Sequence, residues 1–223
     1  MNVYGGANKA DISGDVTLTI KSGHIGNVFG GNNNSGKIMG DIVVNINWDG
    51  SDCWNVNNVY GCGNLAVYSV YGYNSDGTPI TSGTSATYAA PQVNIINGKV
   101  NFNVFGAGKG KSDGSTVSTG VYYGHLFGNT DVNMTGGSCK NIYGGGDAAP
   151  VTGNTNVTIN AASRPAEGEY HVKECVFGGG LGATAVINGS TNITITGSSA
   201  IHGNVYGGGN AGLVTGDTHI DIK

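Results

Sequence analysis

Seven variants of one short phrase punctuate the chain, and their recurrence restricts the fold more than any other feature. They begin at Asn2 (NVYGG), Asn27 (NVFGG), Asn58 (NVYGCG), Asn103 (NVFGAG), Asn141 (NIYGGG), Cys175 (CVFGGG) and Asn204 (NVYGGG). The interval between successive aliphatic anchors runs from 25 residues, Val3 to Val28, up to 45, Val59 to Val104. A unit of about 25 residues that accepts insertions fits these intervals, whereas a propeller blade needs ~40–50 residues in every repeat.

A second pattern follows each anchor. A corner residue recurs as Gly14, Gly40, Ala89, Gly128, Gly153, Gly189 and Gly216. Two residues before it stand Ile12, Ile38, Thr87, Leu126, Val151, Ile187 and Val214. Beyond it, Leu18, Val44, Val93, Val132, Val157, Ile193 and Ile220 are each followed, two positions on, by Ile20, Ile46, Ile95, Met134, Ile159, Ile195 and Ile222. Alternation with apolar residues on one side marks half-buried strands. Each unit therefore holds three short strands: the anchor, the segment before the corner and the segment after it.

Composition supports this reading. The chain of 223 residues contains 42 Gly, is 38% hydrophobic and only 11% charged. Each Gly inside a helix costs ~1 kcal/mol relative to Ala, so an all-β chain of short strands and tight turns is expected. Disordered chains lack regularly placed Val, Ile and aromatic residues, which this sequence has. The fold class is all-β: a parallel β-helix or solenoid of about seven three-stranded rungs with loop insertions, a single domain over residues 1–223. With strands about 4.8 Å apart, seven rungs make a rod of roughly 30–35 Å. A single rung cannot bury its apolar side alone, so stacking is obligatory.

Six of the seven anchors are preceded by Asn, whose amide can hydrogen-bond from rung to rung; this predicts a corner ladder. The aromatic after each anchor (Tyr4, Phe29, Tyr60, Phe105, Tyr143, Phe177, Tyr206) should form a second stack. Tyr hydroxyls need water or a partner, which favours a partly exposed stack.

Function is sought in the insertions, because loops on a rigid scaffold usually carry binding residues. From anchor to corner, rung three spends 30 residues (Val59 to Ala89) and rung four 24 (Val104 to Gly128), against 11 in rung one (Val3 to Gly14). These excursions hold Tyr68, Tyr71, Tyr73 and Tyr88, and then Tyr122, Tyr123 and His125, the candidate ligand-binding residues. Clustered Tyr can stack on sugar rings, contact a protein or simply pack the insert onto the rod. Rung two is extended elsewhere, from Trp48 to Asn57, with both Trp residues of the chain. Rung five is extended from Ala161 to Glu174 and holds Glu167, Glu169 and Glu174, an alternative acidic site. Paired carboxylates are what glycoside cleavage requires, although a charged insert also reads as a solvated loop.

Other classes are disfavoured. Net charge is −4 with ten Lys and Arg and no basic cluster, so nucleic acid is not an expected partner. No apolar run is long enough to cross a membrane, and no secretory leader is recognisable because Met1 leads straight into the first anchor. The segment Gly106–Ser112 imitates a phosphate loop, but Phe105 stands where the first Gly is required and no helix is expected to follow. The calcium-binding nonapeptide pattern is missing, and the five His are dispersed, so neither metal nor cofactor is expected. Cys139 reads as a buried small side chain, while Cys53 and Cys62 are near enough in sequence to pair, which spacing cannot establish.

The NVYGGGN and VTGDT units resemble the Gly-rich parallel β-helix repeats of bacterial surface adhesins and secreted passenger domains. The resemblance implies an extracellular or cell-surface location and a non-enzymatic stalk or adhesin that presents its inserts to a glycan or a host or cell-surface protein. Related β-helices include polysaccharide lyases and glycoside hydrolases, the alternative reading. Membership there implies clustered acidic residues, whereas the row Asp15, Asp41 and Asp217 is broken in rungs three to six. A third alternative is a self-associating filament subunit. Val3 and Ile222 lie in terminal strands that no helix or charged segment caps, so the chain is read as a segment of a longer array or as one that stacks end to end.

Overall fold

The computed structural model describes residues 1–223 and contains strands but no helix. Two seven-stranded parallel sheets run the length of the rod. The first face consists of Asn2–Tyr4, Gly23–Phe29, Trp54–Tyr60, Asn103–Phe105, Asn141–Tyr143, Val176–Phe177 and Val205–Tyr206. The third face consists of Val16–Ile20, Ile42–Asn47, Gln92–Asn97, Thr130–Met134, Thr155–Ala161, Thr191–Gly197 and Thr218–Ile222. Between them lies a narrower second face, Tyr68–Ser69, Leu126–Phe127 and Val151–Thr152, prolonged by single bridges through Ile187 to Val214. Each rung contributes one segment to each face in rung order, which is a parallel β-solenoid.

Register follows the repeats. The anchors pair Val3 with Val28, Val28 with Val59, Val59 with Val104, and onward through Ile142 and Val176 to Val205. On the third face both aliphatic rows align, from Leu18 and Val44 to Ile220 and from Ile20 and Ile46 to Ile222. Inward residues of these two faces, with Val100, Cys139 and Val172 just ahead of the first, form one core cluster of 21 buried side chains, in which each Val or Ile is worth ~1.5–3 kcal/mol when fully removed from water. A second cluster, with Ile38, Leu126, Val151 and Ile187, fills the corner under the second face.

The Gly after each aromatic has a steric cause. A Cβ on Gly61 would collide with the carbonyl oxygen of Gly106, and a Cβ on Gly106 with that of Gly144. Rungs can close to strand spacing only where this side chain is missing. Thr130 and Thr155 use the same carbonyls: their buried hydroxyls donate to Gly144 O (2.6 Å) and Gly178 O (2.5 Å) of the next rung.

The Asn ladder is present. Asn27 Nδ2 donates to Asn2 Oδ1 (3.0 Å), Asn58 to Asn27 (3.1 Å) and Asn141 to Asn103 (3.1 Å). In rung six, where Cys175 replaces Asn, its backbone N–H donates to Asn141 Oδ1 instead (2.9 Å). The Asp15 and Asp41 row is also structural, since each carboxylate accepts a backbone N–H from the next rung, Asp41 and Ala89 respectively.

Two expectations need correction. The seven aromatic rings do stack, with centroids 4.6–5.0 Å apart, but Phe29, Tyr60, Phe105 and Tyr143 are buried rather than partly exposed. The chain after each Gly turn folds back over them: Lys109, Asp147 and Leu181 bridge rung to rung, Leu181 packs on the rings and Tyr60 donates to Asp147 Oδ2 (3.1 Å). In rung three the residue in register on the second face is Tyr68, paired with Leu126, and not Thr87. The rung-three excursion therefore follows the strand instead of preceding it. The pairing of Cys53 and Cys62, which spacing left open, does not occur: both are free thiols, Cys53 exposed in the rung-two insert and Cys62 enclosed in the second cluster.

Candidate functional site

The two long excursions meet over the second face. In rung four, Thr116–Ser118 and Val121–Tyr122 form an antiparallel hairpin turned at Gly120 (φ 74°), a left-handed conformation that Gly adopts without strain. Its base is shaped by Asp113, which accepts the N–H of Ser115 (2.9 Å); the Ser115 hydroxyl and this N–H hold the carboxylate below its usual range. In rung three, Tyr73 bridges Pro79 across a turn closed by Asp76, which accepts from Thr78 N (2.9 Å) and Oγ1 (2.7 Å). That excursion is tied to the rod by Ser69 Oγ to Ile80 O (2.5 Å) and by Tyr88 N to Val70 O (2.8 Å).

The rung-four hairpin divides two cavities, and Val121 lines both. The first, of ≈780 Å³, is walled by Tyr122 and floored by His125, Phe127, Thr152 and Asn188, with Thr184 across from the hairpin. His125 is 3% exposed, stacks on Phe127 (3.9 Å between centroids, 28°) and meets Thr152 Oγ1 through Nε2 (2.9 Å). Its Nδ1 is buried with no partner, and burial lowers its pKa to about 4, so the ring is neutral at neutral pH. The second cavity, of ≈880 Å³, is lined by Tyr73, Tyr123, Lys37, Lys111, Asp11 and Asp76. Here Lys111 Nζ lies 3.9 Å from the Tyr123 ring centroid and Lys37 pairs with Asp11 (3.2 Å). Burial raises the Tyr73 phenol to about 12, keeping it protonated.

Of the candidate residues, Tyr122 and His125 thus share one cavity, and Tyr73 and Tyr123 share its neighbour. Tyr68 is removed from any ligand surface: it is 2% exposed and its hydroxyl donates to Gly40 O (2.8 Å). Tyr71 and Tyr88 are partly buried against the second cluster and pack the rung-three excursion onto the rod. Thr152, Thr184 and Asn188 complete the first cavity without having been singled out from the sequence. A signal existed for two of them, since Thr152 and Asn188 each follow an inward aliphatic, Val151 and Ile187, and must point outward.

The rung-five carboxylates lie elsewhere, on the corner between the third and first faces. Glu169 pairs with Lys173 (2.8 Å), and Glu174 pairs with Lys140 (3.0 Å) and accepts from Asn141 (3.0 Å). Lys173 holds Glu169 below the usual carboxylate range, and Lys140, then Asn141, do so for Glu174. Glu167 is exposed. Together the geometry defines a parallel β-solenoid with two insert-framed cavities on one face. No protein-family model, no curated protein and no solved structure significantly matches the chain.

Proposed function

We propose that this chain is a non-enzymatic extracellular or cell-surface repeat domain, a stalk or adhesin that presents the rung-three and rung-four inserts to a glycan or protein ligand. The observation that carries the reading is the pair of cavities on either side of the Thr116–Tyr122 hairpin. Both join aromatic rings to hydroxyl, amide or charged groups, the mixture by which pockets bind and orient a ligand. The scaffold beneath is a continuous stack of paired strands, while the inserts of rungs three and four contribute none of its two long ladders. Ionised, lysine-paired Glu169 and Glu174 also favour binding over hydrolysis, since glycosidic cleavage needs one carboxyl kept protonated as the acid.

The test is a binding screen on glycan arrays and on intact cells with the full chain and a variant whose hairpin, residues 113–122, is replaced by a short Gly-Ser link. The variant should remain folded by circular dichroism and lose the binding that the two hairpin cavities contribute. Undiminished binding would overturn the assignment of the site. Turnover of a glycan, abolished by Glu169→Gln, would overturn the non-enzymatic reading.

A further inference from the structure

A chemically different trough runs along the corner that links the third face to the first. The inserts of rungs two and five are separated by more than a hundred residues, yet they form facing walls of one cavity of ≈810 Å³. Trp48 and Trp54 make one wall, Glu169, Tyr170 and His171 the other, and Lys99 lies between. The floor includes Gly98 (φ 93°) and Gly137 (φ 68°), both left-handed. A Cβ on Gly98 would come within 2.8 Å of both Trp48 and the Trp54 ring, so only Gly lets the indoles rest on the floor.

Each indole has its polar atom satisfied within the protein. Trp48 Nε1 donates to Ser51 O (2.8 Å) and Trp54 Nε1 to Lys99 O (2.7 Å). The ring centroids are 6.3 Å apart and inclined at 44°. The wall they form is therefore anchored and apolar, with no donor left unmet.

The facing wall is the reverse. His171 is 4% exposed, and its Nδ1 accepts the Ala200 N–H (3.1 Å), which places the proton on Nε2. No protein acceptor takes that Nε2–H, on a ring that lines the trough. Glu169 uses Oε2 for Lys173, leaving Oε1 as an acceptor, and Lys99 forms no ion pair. Free donors and a free acceptor thus face two apolar rings.

We propose that this trough binds neutral hexose or N-acetylhexosamine units of a glycan. A pyranose stacks its C–H face on Trp48 and Trp54, while its hydroxyls accept from His171 Nε2–H and Lys99 and donate to Glu169. A sugar hydroxyl both gives and takes hydrogen bonds, which matches this mixture. A proline-rich peptide, the other usual partner of paired indoles, offers mainly carbonyl acceptors and would leave Glu169 Oε1 without a donor.

The experiment exploits the fact that these are the only two Trp of the chain, so indole emission reports this trough alone. The protein is titrated with short cello-, manno-, galacto- and chito-oligosaccharides and, separately, a polyproline peptide. At least one saccharide should give a saturable change in emission. Lys99→Ala and Glu169→Gln, both at exposed positions, should each weaken it about tenfold while leaving the circular dichroism intact. No saturable change with any saccharide would overturn the proposal, as would a response to polyproline alone or unchanged affinity in the double variant. A ligand held only in the second-face cavities would leave the indole emission still, so failure here is distinguishable from failure of the functional reading above.

Discussion

Replacing Phe105 by Leu should cost far more stability than replacing Tyr206 by Leu, although both rings occupy the same repeat position. Phe105 is 1% exposed and stacked on both sides, on Tyr60 at 4.8 Å and on Tyr143 at 4.9 Å. Tyr206 is 44% exposed and has one neighbour, Phe177, at 5.0 Å. Leu keeps much of the apolar volume but has no flat face. Each stacked pair is worth ~0.5–1.5 kcal/mol beyond the area it buries, so Phe105→Leu loses two pairs, ~1–3 kcal/mol. Tyr206→Leu loses one pair that is already half solvated, under ~1 kcal/mol. For a chain of this size 1 kcal/mol moves Tm by ~2–4 °C, which at mid-range gives about 6 °C against about 2 °C. Melting followed by circular dichroism, with both variants in one buffer at one heating rate, measures the difference. Equal losses, or a larger loss at Tyr206, would refute the idea that the central rings act as a desolvated column rather than as seven independent surface contacts.

Burial of His125 lowers its pKa from 6.5 to about 4, so between these values the unfolded chain binds a proton that the folded one does not. Stability should therefore fall as pH drops through that window, by up to about 3 kcal/mol, and His125→Gln should flatten the slope; an identical acid profile in the variant would count against it. Asn141→Ala leaves the Cys175 N–H without its acceptor and should lower stability by about 1–3 kcal/mol in urea unfolding, with a loss below ~0.5 kcal/mol showing that the ladder is decorative. The strands Asn2–Tyr4, Val16–Ile20 and Thr218–Ile222 are sheet edges, and Ile220 and Ile222 are 41% and 64% exposed. The 223-residue chain should gain mass with concentration in light scattering, and Ile220→Lys with Val3→Lys should abolish the gain; a strictly monomeric parent would refute this.

Residue order alone was enough to place the anchors and both aliphatic rows of the third face. In a parallel solenoid, equivalent positions of successive repeats are neighbours one strand spacing apart, so periodicity along the chain is contact in space. Amide chemistry likewise made the Asn ladder legible from Asn2, Asn27, Asn58 and Asn141, and Cys139 was correctly placed as a buried side chain.

Insertions broke this logic. Counting back from the rung-three corner arrives at Thr87, whereas counting nine residues on from Val59, as from Val3 to Ile12, arrives at Tyr68, and the backbone pairing selects the second. A pattern cannot tell from which end of a strand a loop departs, because neither choice alters the repeats around it. Burial of the aromatic column was decided by Asp147 and Leu181, residues outside the anchor phrase that fold back over it. The cavities are more remote still from linear order. The rung-four hairpin meets the rung-three turn, and Trp54 faces His171, only because stacking brings distant inserts to one side of the rod while left-handed turns such as those at Gly98 and Gly120 set their direction. Those directions follow from what each insert packs against, and that contact does not exist until the rungs are stacked.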